Sequence, residues 1–163
     1  MEVRLARPGD AEDIQSIFAA EVLSSTNVFE LVPPTVVEQR RWLDLHTGTH
    51  PCLVAADTTD TVLGYASLSP YRARPAYRTT VEDSVYVHRD HQNRGVGRAL
   101  LEELVELATG HGFHAVIGRV VGHNEASIAL HRRVGFIDVG VEREVGRKFG
   151  RWLDVVVMQR LLT

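Results

Sequence analysis

A short glycine-containing turn constrains the fold of this chain most strongly, because it joins a predicted strand to the strongest helix pattern in the sequence. Residues 79–87 have the composition of a buried strand, and residues 88–95 form a polar turn that ends in glycine. Residues 96–109 then carry leucines on one helical face and glutamates on another. A strand that leads directly into an amphipathic helix indicates an α/β domain.

The chemistry of this turn favours the binding of an anion. The first turn of a helix has N–H groups without partners, and the helix dipole adds positive potential there. Gly95 and Gly97 place no side chain in the way of a phosphate, while Arg94 and Arg98 add positive charge at the same helix end. The pattern predicts a pyrophosphate cradle, although glycine-rich turns between strand and helix also occur without a ligand.

Two better-known phosphate motifs do not match this turn. A dinucleotide-binding fingerprint requires a third glycine where this chain has Leu100, and it follows the first strand of its fold. A P-loop requires a Gly-Lys-Ser/Thr sequence, which is absent.

The rest of the pattern predicts one α/β domain over residues 1–163, with helices flanking a mixed, mostly antiparallel central sheet. Helices are expected after the capping residues Asp10, Thr35 and Asn124, in addition to the helix over 96–109. Strands are expected over residues 2–6, 52–56, 62–69, 79–87, 115–121, 137–145 and 152–161.

Composition narrows the classes of function. Hydrophobic residues make up 44% of the chain and charged residues 24%, which is typical of a soluble globular protein. The net charge of −3 argues against a nucleic-acid partner, and no apolar stretch is long enough to span a membrane. A single cysteine, Cys52, and the lack of a secretion-signal pattern predict a cytoplasmic protein.

Two sets of residues resemble one enzyme family. The segment Gln92-Asn93-Arg94-Gly95-Val96-Gly97 is similar to the Q/R-x-x-G-x-G/A signature of the GCN5-related N-acetyltransferases (GNAT). A second family signature is matched downstream by Asn124, Ser127, His131 and Gly135-Phe136.

Further segments resemble the phosphinothricin and methionine sulfone or sulfoximine acetyltransferases within that superfamily. They are Thr80-Val81-Glu82, Ser84-Val85-Tyr86-Val87 and the C-terminal Lys148-Phe149-Gly150-Arg151-Trp152-Leu153-Asp154. The resemblance covers the whole chain and implies the GNAT fold, with acetyl-CoA as co-substrate and no metal.

The resemblance also assigns the co-substrate contacts. It implies that the backbone of Val85, Tyr86 and Val87 pairs with the pantetheine arm. The pyrophosphate would be wrapped by Asn93, Arg94, Gly95, Val96, Gly97 and Arg98, and the other side of the co-substrate would be contacted by Asn124 and Ser127.

The catalytic candidates are Glu82 and His131. By resemblance, Glu82 is the base that removes a proton from the attacking amine, directly or through a water molecule, whereas an exposed strand carboxylate is the alternative. His131 stands where many relatives carry a tyrosine that protonates the leaving thiolate. It could be a general acid or a packed helix histidine, and both interpretations remain open.

An arginine-containing loop before Glu82 is the expected acceptor site. Because a guanidinium forms two parallel hydrogen bonds with a carboxylate, Arg72 is predicted to hold the acceptor's acid group. The resemblance adds Pro75, Ala76 and Tyr77 of the same loop, and Phe29 and Glu30 are expected to close the opposite side. The resemblance also implies that the final hairpin helps to form a homodimer.

The predicted activity is acetyl-CoA-dependent N-acetylation of a small amino-acid-like acceptor, by direct attack in a ternary complex. Two alternatives remain at this point. One is acetylation of a peptide or protein N-terminus, and the other is a non-catalytic acyl-CoA sensor.

Overall fold

Seven strands form one sheet, and four helices pack against its two faces. The computed structural model describes residues 1–163. The helices are α1 (Ala11–Ser24), α2 (Val36–Leu45), α3 (Val96–Gly110) and α4 (Glu125–Arg133). The strands are β1 (Glu2–Leu5), β2 (Cys52–Ala56), β3 (Val62–Pro70), β4 (Thr80–Val87), β5 (Ala115–Val121), β6 (Ile137–Lys148) and β7 (Arg151–Leu161).

The strand order is β1-β2-β3-β4-β5-β7-β6, and only β4 and β5 run parallel. The predicted α/β class with a mixed, mostly antiparallel sheet is therefore confirmed. None of the helices is both long and apolar enough to cross a membrane.

The parallel pair β4 and β5 stays together for only three residues. Thr80–Glu82 pairs with Ala115–Ile117, and beyond this point the two strands are no longer hydrogen-bonded to each other. On its other edge, β4 remains paired with β3 as far as Val87. The separation of β4 from β5 opens a cleft in the middle of the sheet, and Glu82 lies at its vertex.

The two faces of the sheet carry separate cores. The larger core packs α3 residues such as Leu100 and Leu104 against Val81 and Val116. The smaller core lies under α1 and α2 and includes Ile14 and Tyr65. Because side chains alternate along a strand, Val81 and Asp83 of β4 face α3, whereas Glu82 faces the opposite side.

The predicted helix starts are partly correct. Thr35 and Glu38 form the expected reciprocal capping box, and the side chain of Asn124 accepts a hydrogen bond from the N–H of Ser127. The prediction that Asp10 caps α1 is wrong. Its carboxylate instead accepts hydrogen bonds from the Arg4 guanidinium and the Arg7 N–H.

The last hairpin is longer than predicted. Strand β6 continues to Lys148 rather than ending at Val145, so the turn shrinks to Phe149 and Gly150. These residues have φ values of 50° and 71°, as a tight two-residue hairpin turn requires. The register shift between Glu142 and Gly146 takes up the extra residues, with Glu144 at φ 50°.

Candidate active site

A cleft of about 650 Å³ opens where β4 and β5 separate. It brings together ten of the eleven residues predicted to contact the co-substrate. They are Val85, Tyr86, Val87, Asn93, Gly95, Val96, Gly97, Arg98, Asn124 and Ser127. The remaining one, Arg94, is exposed on the same turn but does not line the cleft. Residues distant in sequence therefore form one continuous surface.

The N-terminus of α3 forms one end of this cleft. Gly95 precedes the helix with φ 83°, a left-handed conformation that glycine adopts without strain, and no side chain caps the helix. At Gly97, a Cβ atom would lie 3.2 Å from Leu130 and 3.4 Å from Val87, so the backbone here is closely packed. The uncapped N–H groups and the helix dipole make this end suitable for an anion.

His131 and Asp83 form a buried pair in the wall of the cleft. Nε2 of His131 lies 2.8 Å from Oδ2 of Asp83, and Nδ1 lies 2.8 Å from the carbonyl oxygen of Ser127. Burial lowers the pKa of His131, but the charge and hydrogen bond of Asp83 and the Ser127 carbonyl outweigh it, so the pKa is raised. Since a carbonyl only accepts, Nδ1 donates to Ser127 and Nε2 donates to Asp83, which describes an imidazolium.

The second oxygen of Asp83 and the glycine opposite it complete this arrangement. Oδ1 is buried without a hydrogen-bond partner. A Cβ atom at Gly118 would lie 2.8 Å from the His131 ring and 3.1 Å from Asp83 Oδ1. Sequence reasoning missed both Asp83 and Gly118. The sequence did carry a sign of Asp83. Val81, Asp83 and Val85 alternate along β4, so the aspartate lies on the strand face that the two valines turn toward the core.

Glu82 lies on the opposite face of β4 and is the last residue of that strand that pairs with β5. Its side chain is 32% exposed, and Oε1 lies 3.9 Å from Nε of Arg119. Burial raises the pKa of the Glu82 carboxyl, and the charge of Arg119 only partly opposes this. A half-buried carboxylate with a raised pKa is well suited to accept a proton near neutral pH.

Arg119 and Glu142 are two further charged residues that sequence reasoning missed. Nη2 of Arg119 lies 2.5 Å from Oε1 of Glu142. The two residues belong to β5 and β6, which are not neighbours in the sheet because β7 runs between them. Their spacing in the sequence carries no signal, since only the strand order brings them together.

The predicted acceptor residues of the loop after β3 are exposed. Arg72 lies in the loop after β3 and stacks over the ring of Tyr71, with its guanidinium carbon 4.9 Å from the ring centre. Residues Pro75–Tyr77 form a single turn of 3-10 helix, and all three are exposed. None of these residues lines the cleft, so their contact with an acceptor remains a prediction.

The loop that carries Phe29 and Glu30 is held at several points. Oγ1 of the buried Thr26 lies 2.7 Å from Nε2 of His123. The ammonium of Lys148 donates a hydrogen bond to the Val28 carbonyl. Lys148 is 3% exposed, and burial lowers the pKa of its ammonium, against the opposing charges of Glu30 and Glu21. Phe29 packs against Gly146, where a Cβ atom would come within 2.5 Å of the ring. These contacts fix the loop beside the cleft.

The family follows from comparison with known proteins. Residues 14–136 match the model of the "Acetyltransferase (GNAT) family". The chain belongs to the GNAT family. The predicted family membership and enzyme class are thereby confirmed.

Similar proteins cover almost the whole length of this GNAT enzyme. An L-methionine sulfoximine/L-methionine sulfone acetyltransferase of Pseudomonas aeruginosa is 39% identical, over 96% of this chain and 92% of the relative. A phosphinothricin N-acetyltransferase of Alcaligenes faecalis is 43% identical, over 98% of this chain and 82% of the relative. Among solved structures, a GNAT superfamily phosphinothricin acetyltransferase from Sinorhizobium meliloti in complex with AcCoA matches with a TM-score of 0.95. It is 40% identical, over 99% of this chain and 88% of that structure.

Proposed function

We propose that this GNAT enzyme transfers the acetyl group of acetyl-CoA to the amine of a small amino-acid-like acceptor, of the phosphinothricin, methionine sulfone or methionine sulfoximine type. One observation carries the proposal: the cleft runs from an uncapped helix N-terminus at Gly95 to Asp83 and Arg119, next to Glu82, where β4 and β5 separate. The relatives named for these acceptors support it, as does the Sinorhizobium meliloti structure with AcCoA.

The chain's own groups fit acetyl-CoA. The N–H groups at the start of α3 suit its diphosphate. Beyond Glu82, β4 has a free edge toward β5, so the backbone groups of Val85 and Val87 can pair with the amides of an extended pantetheine arm. The thioester would then lie near the vertex, where the acceptor can approach from the face that carries Glu82.

The reaction requires few groups because a thioester is already activated. The acceptor ammonium loses a proton to Glu82, directly or through a water molecule. The nitrogen lone pair then attacks the thioester carbonyl carbon, an N–C bond forms and the C–S bond breaks, so the thiolate departs with that electron pair. The nitrogen releases its second proton to the departing thiolate or to water, which leaves a neutral amide. Both substrates are held at once, and much of the rate comes from their alignment.

His131 serves this reaction by position rather than as the acid. Both of its ring nitrogens are occupied, one by Asp83 and one by the Ser127 carbonyl, so neither N–H is free for a departing thiolate. The ion pair ties α4 to β4 and holds the two sides of the cleft together. Of the two interpretations left open by the sequence, this geometry favours the packed histidine.

The test is acetyl-CoA turnover, measured by thiol release, with phosphinothricin, methionine sulfone and methionine sulfoximine as acceptors. We expect saturable thiol release with at least one of them and weaker release with a free peptide N-terminus. Turnover of the peptide alone would show that the acceptor is a peptide N-terminus and not a small amino acid. Acetyl-CoA binding in calorimetry without turnover of any amine would indicate a sensor instead of an enzyme.

We also propose that the enzyme is a cytoplasmic homodimer formed through the β6–β7 hairpin. Strand β6 is an edge of the sheet, and the hairpin exposes a group of large apolar side chains. They are Ile137, Val139, Val141, Val145, Phe149 and Trp152. An apolar group of this size on an edge hairpin is typical of an interface between subunits.

A further inference from the structure

Arg119 extends from the separated part of β5 toward the vertex of the cleft. It lies two residues beyond Ile117, the last residue of β5 that pairs with β4. Because side chains alternate, Arg119 is on the same sheet face as Ile117, and therefore as Glu82, the partner of Ile117. Its Nε lies 3.9 Å from Oε1 of Glu82, a distance at which the charges interact without a direct hydrogen bond.

Glu142 anchors the far end of the Arg119 guanidinium. Arg119 is opposite Val157 on β7, and Glu142 is opposite Val155 on the other edge of the same strand. The arginine side chain therefore crosses β7 diagonally to reach its partner, with Nη2 2.5 Å from Oε1 in an ion pair that lacks hydrogen-bond geometry. Such an anchor limits the rotamers of a long side chain and holds the inner nitrogen toward Glu82.

The charged groups that influence Glu82 come from four elements. Arg119 projects from β5, Asp83 is its neighbour on β4, Arg72 comes from the loop after β3, and Glu142 projects from β6. Asp83 is already paired with His131, and Arg72 is an exposed side chain. Arg119 is the partly covered cation nearest to the Glu82 carboxylate.

We propose that Arg119, anchored by Glu142, is a positioning residue that keeps Glu82 ionised and so sets the lower pH limit of acetyl transfer. This inference rests on the proposed function, in which Glu82 is the base. Burial alone favours the protonated carboxyl, which cannot accept a proton from the acceptor. The guanidinium opposes that effect without a direct hydrogen bond to Glu82, so the carboxylate oxygens remain available to the amine.

The test compares pH profiles of kcat/KM for the wild type, Arg119→Gln and Arg119→Lys, with Arg132→Gln as the matched control. Arg132 is exposed, pairs with Asp138 and does not line the cleft. We expect Arg119→Gln to move the acid limb up by about one pH unit, a tenfold loss of rate on that limb. Arg119→Lys should restore at least half of the shift, and Arg132→Gln should leave the limb in place.

A second measurement separates this inference from the proposed function. Carboxyl ¹³C NMR titration follows Glu82 directly, with its signal assigned by its loss in Glu82→Gln. An upward shift of the Glu82 midpoint in Arg119→Gln supports the inference even if no acceptor turns over, a result that would refute only the proposed function. An unmoved Glu82 midpoint in a folded Arg119→Gln protein would overturn the inference, whatever the activity.

Discussion

Nε2 of His131 lies 2.8 Å from Oδ2 of Asp83, and this pair joins α4 to β4 across the wall of the cleft. The two side chains are almost fully buried, at 4% and 1% exposure. Gly118 leaves room for them on β5, since a Cβ atom there would collide with the imidazole. Three elements around the cleft thus depend on one buried ion pair.

Loss of one partner of this pair should destabilise the fold. Asp83→Asn leaves a buried imidazolium without its counter-charge, and breaking a buried pair costs about 3–5 kcal/mol. Urea unfolding followed by circular dichroism measures the loss. Asp138→Asn, which removes a surface partner of Arg132, is the matched control and should change little. Equal stability of the two variants would argue against a structural role for the pair.

The same pair predicts a pH dependence of stability. The pKa of His131 is raised in the folded state, so the pair contributes fully below the unfolded pKa of about 6.5. The contribution is lost as the pH rises through the higher, folded pKa. We expect the free energy of unfolding of the wild type to fall across this interval, and Asp83→Asn to show a weaker fall. Identical slopes in the two proteins would contradict the ion pair.

Replacement of Glu82 tests the base. Glu82→Gln keeps the shape of the side chain but cannot accept the proton, so kcat/KM near neutral pH should fall by about 10²–10⁴-fold. Steady-state thiol release measures the change. Glu103→Gln on the exposed face of α3 is the control and should retain the wild-type rate. A Glu82→Gln enzyme as fast as the control would remove Glu82 from the mechanism.

Displacement of Phe29 tests the loop beside the cleft. A Cβ atom in Gly146→Ala would lie 2.5 Å from the Phe29 ring and force the ring away. We expect the KM for the acceptor to rise several-fold, with the KM for acetyl-CoA unchanged. Gly140→Ala on the same strand is the control, because nothing lies within 4 Å of a Cβ atom there. An unchanged acceptor KM would separate Phe29 from the acceptor site.

A charge on the β6 edge tests the proposed homodimer. Val139→Glu places a carboxylate in the apolar group of the hairpin and should produce monomers in sedimentation velocity. Val37→Glu on α2 is matched in exposure, 54% against 57% for Val139, and should leave the dimer intact. A monomeric wild type, or a dimer that survives Val139→Glu, would refute this interface.

Local patterns in the sequence determined the helices, most strand positions and the glycine-containing turn before α3. The Thr35–Glu38 box and the Asn124 cap depend on groups three residues apart, and Gly95 acts through its own φ angle. Such features need no distant partner, so composition and spacing reveal them. Asp10 was the exception, because Arg4 and the Arg7 backbone compete for its carboxylate.

Only the tertiary structure decided how the charged side chains pair. His131 was visible in the sequence, but its partner Asp83 lies 48 residues away and belongs to another element. Arg119 meets Glu142 only because the strand order places β5 and β6 on the two edges of β7. Lys148 meets Val28 only because the C-terminal hairpin lies beside the loop after α1. Pairings of this kind depend on strand order and register. Those properties arise from packing of the whole chain, and no local periodicity encodes them.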